Sequence, residues 1–483
     1  MFSASSATVS SSTETTRTPR RRGMARLAAS VVASGLVMAG TLVGAGGAVA
    51  DEAPQHQGGA AAVLDGLKTY DRAVLHTDGR NQQLPAGLFE MTVDGGGKLK
   101  TYCIDIHNPT QDQAKYLETP WNQTSLGSNK NAGKIRWILE HSYPQVDDLA
   151  ALAEQAGTGP LTEKTAAAGT QVAIWRYSDD ADVDATDSQA EKLADWLEQN
   201  AADQAEPKAS LALDPAAVSG KSGERLGPVT VHTNAGQVSV TPPADAASGV
   251  KITDKGGRPV ATASDGAQLY FDVPAGAADG SASLTVQATT SVPVGRAFAG
   301  VTKSQTMILA GSSESTVSAT ANATWAKQGA IPAVSAEKNC AKGGVDVTAT
   351  NKGDEAFTFE LAGAKHTVEA GKSETVTVPV AEDQAYDITV TGPGGFTKTF
   401  KGVLDCKTSG SGTGGSGTDT QTGGDKPAPA TTGGGSTGGS GDLAETGGSS
   451  ATPVIAGVAI ALVVVGGGAV FMLRKRKTQS SAQ

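Results

Sequence analysis

The chain has 483 residues with 61 glycines and 21 prolines, but only 5 tryptophans, 7 tyrosines and 9 phenylalanines. This length and this shortage of large apolar side chains predict about three folded units with linkers rather than one large domain. Acidic residues outnumber basic ones by 49 to 39, and the net charge of −10 argues against a nucleic-acid-binding protein, which needs a basic face. The 3 cysteines cannot all pair with one another.

The first 50 residues have the composition of a targeting segment. A basic stretch at 17–26 precedes an apolar run at 27–43, and residues 48–50 have the small-x-small form of a signal peptidase site. Glycines and other small residues interrupt the apolar run, which disfavours a membrane helix. We therefore predict a signal peptide at 1–50 and export of the remainder of the chain.

Residues 51–205 are predicted to form a compact α+β domain, because they contain four of the five tryptophans. Two strands are predicted at 87–93 and 98–106, joined by a glycine-rich hairpin turn. Apolar residues at helical spacing predict helices at 134–141, 165–177 and 189–200.

Two all-β modules of the β-sandwich (Ig-like) type are predicted to follow. Short Val- and Thr-rich runs broken by turn residues predict the first at 206–325, with one of its strands at 305–310. A smaller module is predicted at 335–407. Cys340 and Cys406 flank it, and in an exported protein they are expected to form a disulfide that joins its first strand to its last. Closing a loop of this length contributes about 4 kcal/mol in the chain-entropy model.

That pairing leaves Cys103 without a partner, on the predicted strand at 98–106. A buried core cysteine is the simplest interpretation, since a free cysteine packs as a small apolar residue. A second is the nucleophile of a cysteine hydrolase, which needs a histidine base, and His107 and His141 are the nearest candidates. A metal site is not predicted, because the sequence has no ligand spacing of a known type.

A third interpretation follows from a second motif, Thr-Gln-Val-Ala-Ile-Trp at 170–175. Together with Tyr-Cys-Ile-Asp at 102–105, it resembles the thioester domain (TQXA domain) of surface adhesins from Gram-positive bacteria. The resemblance covers roughly 62–205 and implies an internal thioester between Cys103 Sγ and the side-chain carbonyl of Gln171. The residues that the family pattern implies as supports of this bond are Asp105, Thr170 and Trp175.

Such a bond is a stored electrophile. A target amine that attacks the Gln171 carbonyl forms an isopeptide bond and releases the Cys103 thiol. Each molecule reacts once, so covalent binding is expected rather than enzymatic turnover, and neither a catalytic residue nor a cofactor is predicted.

The carboxyl-terminal end has the order of a sorting signal. A Gly-, Ser- and Thr-rich linker at 408–442 is too polar to fold. It precedes, in order, Leu443, Ala444, Glu445, Thr446 and Gly447, an uncharged segment of transmembrane length at 453–473, and a basic cytoplasmic tail at 474–483. This order resembles the wall-sorting signal of sortase substrates. It implies that a sortase joins Thr446 to peptidoglycan and that 453–473 spans the membrane only transiently.

These features predict a secreted, cell-wall-anchored adhesin that binds an amine-bearing surface ligand covalently through Gln171. One alternative is a structural cell-wall protein in which the thioester is only an internal cross-link, and a second is a secreted cysteine hydrolase. The expected partners are sortase, peptidoglycan and the amine-bearing ligand, and no nucleic acid.

Overall fold

The computed structural model describes residues 58–77, 79–243 and 249–407. The predicted signal peptide, linker, sorting motif, membrane segment and basic tail all lie outside the described residues. Within these three ranges, the model contains no helix with the length and apolarity needed to cross a membrane.

The amino-terminal part combines strands with four α-helices. The strands are β1 (Ala61–Thr77), β2 (Arg80–Val93), β3 (Lys98–Cys103), β4 (Lys115–Thr119) and β5 (Val183–Ala185). The helices are α1 (Ala132–Glu140), α2 (Leu149–Ala156), α3 (Glu163–Ser178) and α4 (Ser188–Asn200). The predicted hairpin and the three predicted helices are confirmed, whereas β1 and the short helix α2 were not predicted.

The remaining described residues form strands and loops, as predicted for all-β structure. The next strands are β6 (Leu211–Asp214), β7 (Ala217–Lys221), β8 (Arg225–Thr233), β9 (Val238–Thr241), β10 (Lys251–Thr253), β11 (Thr262–Ala263), β12 (Gln268–Asp272), β13 (Gly280–Ser291), β14 (Ala297–Gly300), β15 (Met307–Ser312) and β16 (Glu314–Ala326). The last strands are β17 (Pro332–Asn339), β18 (Gly344–Asn351), β19 (Phe357–Leu361), β20 (Ala364–Val368), β21 (Ser373–Pro379), β22 (Gln384–Thr391) and β23 (Thr397–Leu404).

The first sheet closes on itself. Its seven strands follow the order β2-β3-β15-β14-β4-β1-β5, and β1 also pairs with β2 along almost its whole length. Because β1 therefore has β2 on one edge and β4 on the other, six of these strands form a closed ring. Two register shifts within β1, next to Gly66 at φ 101°, give this strand the bulges that a strongly curved sheet requires.

Two strands of this ring come from a distant part of the sequence. β14 pairs with β4, and β15 pairs with β3 so that Met307 lies opposite Cys103. The predicted division into 51–205 and 206–325 is therefore corrected: the strand predicted at 305–310 belongs to the first sheet and not to a separate module. Local turn spacing predicts that a strand exists but carries no information on which distant strand pairs with it.

The chain between α4 and β14, together with β16, forms two further sheets. Their strand orders are β10-β12-β8-β6 and β11-β9-β13-β16-β7. Buried and exposed residues alternate along β13 and β16, as expected for strands with one buried face. The buried side chains of both sheets, including Phe271 and Leu284, belong to the same hydrophobic core.

The last module has its own hydrophobic core. It consists of the sheets β17-β18-β21 and β20-β19-β22-β23, and its largest buried side chains are Phe357, Phe359 and Phe400. Cys340 and Cys406 form the predicted disulfide, which joins the residue after β17 to the end of the module after β23.

Helix α3 is the central buried element beside the ring. The Thr162 side chain caps its first turn by accepting from the Thr165 N–H. Small residues allow the helix to pack closely against α4: a Cβ added at Gly169 would lie 2.5 Å from the Ala190 carbonyl oxygen. The helix thereby places its middle turns, including Gln171, completely inside the protein.

Candidate functional site

The structure brings Cys103 and Gln171 into direct contact. The Cys103 N–H donates to Gln171 Oε1 at 3.0 Å, and Gln171 Nε2 donates to the Cys103 carbonyl oxygen at 2.8 Å. Both residues are 0% exposed. Two hydrogen bonds therefore hold the Gln171 carboxamide, on α3, against the end of β3, although 68 positions separate Gln171 from Cys103.

The backbone around Cys103 is fixed on several sides. The Asp105 N–H donates to Cys103 Sγ at 3.2 Å, so the turn after β3 folds back over the sulfur. The Ile104 N–H donates to the carbonyl oxygen of Thr306, which immediately precedes β15, at 3.0 Å. A sulfur on such a rigid turn, facing a buried helix, has little freedom to move away from the Gln171 side chain.

The environment of the Cys103 sulfur disfavours a negative charge. Burial raises the pKa of the thiol well above its ordinary value, and the nearby carboxyl groups of Asp179 and Asp105 raise it further. The Asp105 N–H and the Trp175 side chain act in the opposite direction, but they do not compensate for the burial. Nucleophilic cysteines of enzymes lie in electropositive and partly exposed surroundings. This site therefore suits an uncharged sulfur better than a thiolate.

Asp105 supports the site through its backbone. Its side chain is 1% exposed, and its Oδ2 accepts from Asn108 Nδ2 at 2.7 Å rather than from a group at the sulfur. Its Oδ1 has no hydrogen-bond partner within the part of the chain that the structure describes. Burial raises the pKa of Asp105 well above its ordinary value, and the charges of Asp405 and Asp179 raise it further.

Thr170 does not hydrogen-bond to Cys103 or Gln171 among the described contacts. Its Oγ1 donates to the Ala166 carbonyl oxygen at 2.7 Å and lies 2.6 Å from Ser142 Oγ. The hydroxyl therefore joins α3 to the segment after α1, and its effect on the Gln171 side chain is indirect.

Trp175 lies one helical turn after Gln171, on the same face of α3, and is 0% exposed. Its Nε1 is buried without a hydrogen-bond partner among the described residues. The N–H nevertheless lies near enough to the sulfur to lower the pKa of Cys103. The side chain thus contributes to the dry surroundings of the site.

Asp179 is a residue of the site that the sequence interpretation missed. It caps α3 and follows Trp175 by four positions, and its Oδ1 accepts from the Ile106 N–H at 3.0 Å. Its Oδ2 accepts from Ser178 Oγ at 2.5 Å. Burial raises the pKa of Asp179 to about 7. The available signal was its spacing, because this acidic residue follows Gln171 by eight positions and Trp175 by four, at the end of the predicted helix.

The two histidines considered as hydrolase bases do not hydrogen-bond to Cys103 in the described structure. His141 Nδ1 lies 2.8 Å from the Trp137 carbonyl oxygen, and its ring stacks on Trp137 at a centroid distance of 3.9 Å. Burial lowers the pKa of His107, which disfavours its charged form.

A group of three carboxylates lies beside the site, on the last module. Oxygens of Glu382, Asp383 and Asp405 lie within 4.8 Å of one another, the separation that a metal ion would need. Protein groups already bind these oxygens: Thr306 Oγ1 donates to Asp405 at 2.6 Å, and Lys303 Nζ lies 3.4 Å from Asp383. The group thereby connects the last module to the ring next to Cys103.

Comparisons with known proteins agree with this description. Residues 100–203 match the family model described as "Thioester domain", and residues 332–403 match the one described as "Bacterial phospholipase C, C-terminal domain". The first match contains both Cys103 and Gln171, and it confirms the resemblance to thioester domains that the two motifs indicated. A search of the curated proteins gave no significant match.

Among solved structures, the chain is similar to the Bacillus anthracis TIE protein, with 15% identity over 72% of this chain and 81% of that one, at a TM-score of 0.26. It is also similar to the thioester domain of the Enterococcus faecium TIE86 protein, with 15% identity over 57% of this chain and 99% of that one, at a TM-score of 0.27. At these scores the superpositions add nothing to the family match.

Proposed function

We propose that the thioester domain of this chain forms a bond between Cys103 Sγ and Gln171 Cδ, and that the protein is an extracellular surface adhesin that uses this bond for covalent attachment. The observation that carries the proposal is the pair of hydrogen bonds that seats the Gln171 carboxamide on the Cys103 backbone. Both residues lie in a fully buried site within the segment that matches the thioester family.

The geometry supports formation of the bond. The Cys103 sulfur attacks Cδ of Gln171, and negative charge develops on Oε1, the oxygen that already accepts from the Cys103 N–H. The C–N bond then breaks, and the amide nitrogen leaves as ammonia after taking the proton that the thiol lost. Fixing two reacting groups in one orientation lowers such a barrier by up to about 7–11 kcal/mol.

The stored bond then reacts with a primary amine of a target. The amine nitrogen bonds to Gln171 Cδ, the C–S bond breaks, and the sulfur regains a proton as the Cys103 thiol. One molecule forms one isopeptide bond, so the chain acts as a covalent binder and not as an enzyme. The raised thiol pKa and the positions of the histidines argue against a cysteine hydrolase.

We also propose that the carboxyl-terminal sequence anchors the exported protein to the cell wall. The order of the pentapeptide at 443–447, the apolar segment at 453–473 and the basic tail supports processing by a sortase at Thr446. The result is a covalent link to peptidoglycan. Replacing Thr446 with Ala should release the protein into the membrane or medium fractions, and unchanged attachment to purified cell walls would contradict this part of the proposal.

The complete burial of Cys103 and Gln171 favours a second function, in which the thioester is only an internal cross-link. An amine cannot reach a fully covered carbonyl carbon unless part of the site opens. The two functions differ in one measurable property: a binder loses its thioester in the presence of an amine, whereas a protected cross-link keeps it.

Intact-mass measurement tests both functions. The protein should be lighter than its sequence by one ammonia, beyond the hydrogens lost to the disulfide, and methylamine should add its mass at Gln171. Cys103→Ala should eliminate both effects, and Thr170→Val serves as a matched control because its hydroxyl bonds elsewhere. A mass that equals the disulfide-only value excludes the thioester. Loss of ammonia without any methylamine addition indicates the cross-link.

A further inference from the structure

Asp179 is joined to the turn that carries the Cys103 sulfur. Gln171 and Trp175 lie one turn apart on α3, and Asp179, the C-terminal cap of this helix, follows Trp175 by four positions. The Gln171 carboxamide binds the backbone of Cys103, and the Asp179 carboxyl binds the N–H of Ile106, three residues later. Helix α3 and its C-terminal cap therefore hydrogen-bond to both ends of this turn.

The charge of Asp179 has a different effect on each form of the sulfur. In a thioester the sulfur is uncharged, so a nearby carboxylate scarcely affects it. Cleavage by an amine or by water transfers the electron pair of the C–S bond to Cys103 Sγ. A carboxylate in a buried site opposes the negative charge that the sulfur develops in that step.

We propose that Asp179 is a positioning residue that preserves the thioester, because its carboxyl holds the turn around Cys103 in place and its negative charge opposes departure of the sulfur. This inference rests on the proposed function. In the step that Asp179 slows, a C–N bond forms at Gln171 Cδ as the C–S bond breaks. The sulfur receives the bonding electrons and finally the proton that the amine gives up.

The effect of Asp179 depends on pH in a defined direction. Burial raises the pKa of this carboxyl to about 7, so it is largely neutral at pH 6 and largely ionised above pH 8. The titratable groups that face it are Cys103 at the end of β3, Asp105 on the turn that follows, and Asp405 after β23. The nearby acids favour its neutral form, so the opposing charge appears only as the pH rises through about 7.

The test compares the full-length protein with Asp179→Asn, which keeps an oxygen that can accept from the Ile106 N–H but has no charge. Asp180→Asn is the matched control, because the neighbouring Asp180 is exposed and asparagine tolerates its φ of 56°. The rate of methylamine addition is followed by intact mass at pH 6 and pH 8.5. Dividing each rate by that of the unsubstituted protein at the same pH removes the effect that the ionisation of methylamine has on the rate.

For Asp179→Asn we expect a rate ratio near one at pH 6 that rises to about tenfold at pH 8.5. The substitution removes a negative charge only at the higher pH, because Asp179 is largely neutral at pH 6. Asp180→Asn should stay near one at both values. Asp179→Ala, which also lacks the acceptor for the Ile106 N–H, should form the thioester several-fold more slowly than Asp179→Asn. A ratio near one for Asp179→Asn at pH 8.5 would overturn the inference.

A second measurement gives a result even if the thioester does not form. In Gln171→Leu, Cys103 has no acyl partner, and the ¹³Cβ shift of its labelled side chain reports the ionisation of the thiol. Adding Asp179→Asn to this variant should move the titration to lower pH, and an unchanged midpoint would refute the influence of Asp179 on the sulfur. Absence of ammonia loss in the unsubstituted protein, by contrast, would defeat the proposed function itself.

Discussion

At two places in the protein, side chains connect distant parts of the backbone. The two places differ in their position in the fold and in their surroundings. The Cys340–Cys406 disulfide joins the end of the first strand of a small module to the segment after its last strand, outside the module's own hydrophobic core. Cys103 and Gln171 meet instead in the interior of the largest core, between a strand and a helix, and acidic groups lie close to the sulfur. The first bond type stabilises a fold, whereas the second requires a well-packed fold in order to exist.

The largest expected effect comes from removing the disulfide. Replacing Cys340 and Cys406 with Ser should lower the unfolding free energy of the last module by about 4 kcal/mol, because the unfolded chain is no longer restricted by a closed loop. Urea denaturation monitored by hydrogen exchange within β18 and β23 measures this loss.

The ammonia loss at Gln171 should persist in this double variant, because the core that surrounds Gln171 is separate from the core of the last module. Its disappearance would show that the two sites depend on one another, through the contacts that Asp383 and Asp405 make with the ring.

A smaller effect is expected from the packing of α3. Gly169→Val should destabilise the protein by about 1–3 kcal/mol, because the added Cβ would lie 2.5 Å from the Ala190 carbonyl oxygen and force α3 away from α4. Intact mass should then show a larger fraction of molecules that retain the amide of Gln171. Full conversion despite a lowered Tm would indicate that the site tolerates a shift of the helix.

The smallest effect is expected at Thr170. Thr170→Val removes the hydrogen bonds to Ala166 and Ser142 and should lower stability by about 1 kcal/mol. Thioester formation should remain complete, as judged by intact mass, because the hydroxyl does not contact the reacting groups. A selective loss of the thioester with unchanged stability would assign Thr170 a direct role.

The sequence predicted the features that depend on local pattern or on cysteine number. The odd cysteine count separated Cys103 from the disulfide pair, and the two short motifs indicated Gln171 as its neighbour. The all-β character after α4 followed from the spacing of turn residues.

What could not be predicted depends on contacts between distant segments. The return of β14 and β15 to the first sheet leaves no local signal. Both strands are buried on both faces, and a short apolar run of this kind does not show which distant strand it pairs with. The burial of Asp179 was not predicted either. Its spacing from Gln171 was visible in the sequence, but only the folded structure shows that its carboxyl accepts from the Ile106 N–H.

The long-range closure of the ring also determines when the site can be assembled. Met307 lies opposite Cys103 in the sheet although it follows it by roughly 200 residues, so this pairing belongs to the slow, non-local class of folding events. A chain emerging from its amino terminus therefore presents Cys103 and Gln171 long before the strand that completes their surroundings. The site around Cys103 and Gln171 can therefore be completed only after the chain has been synthesised beyond β15.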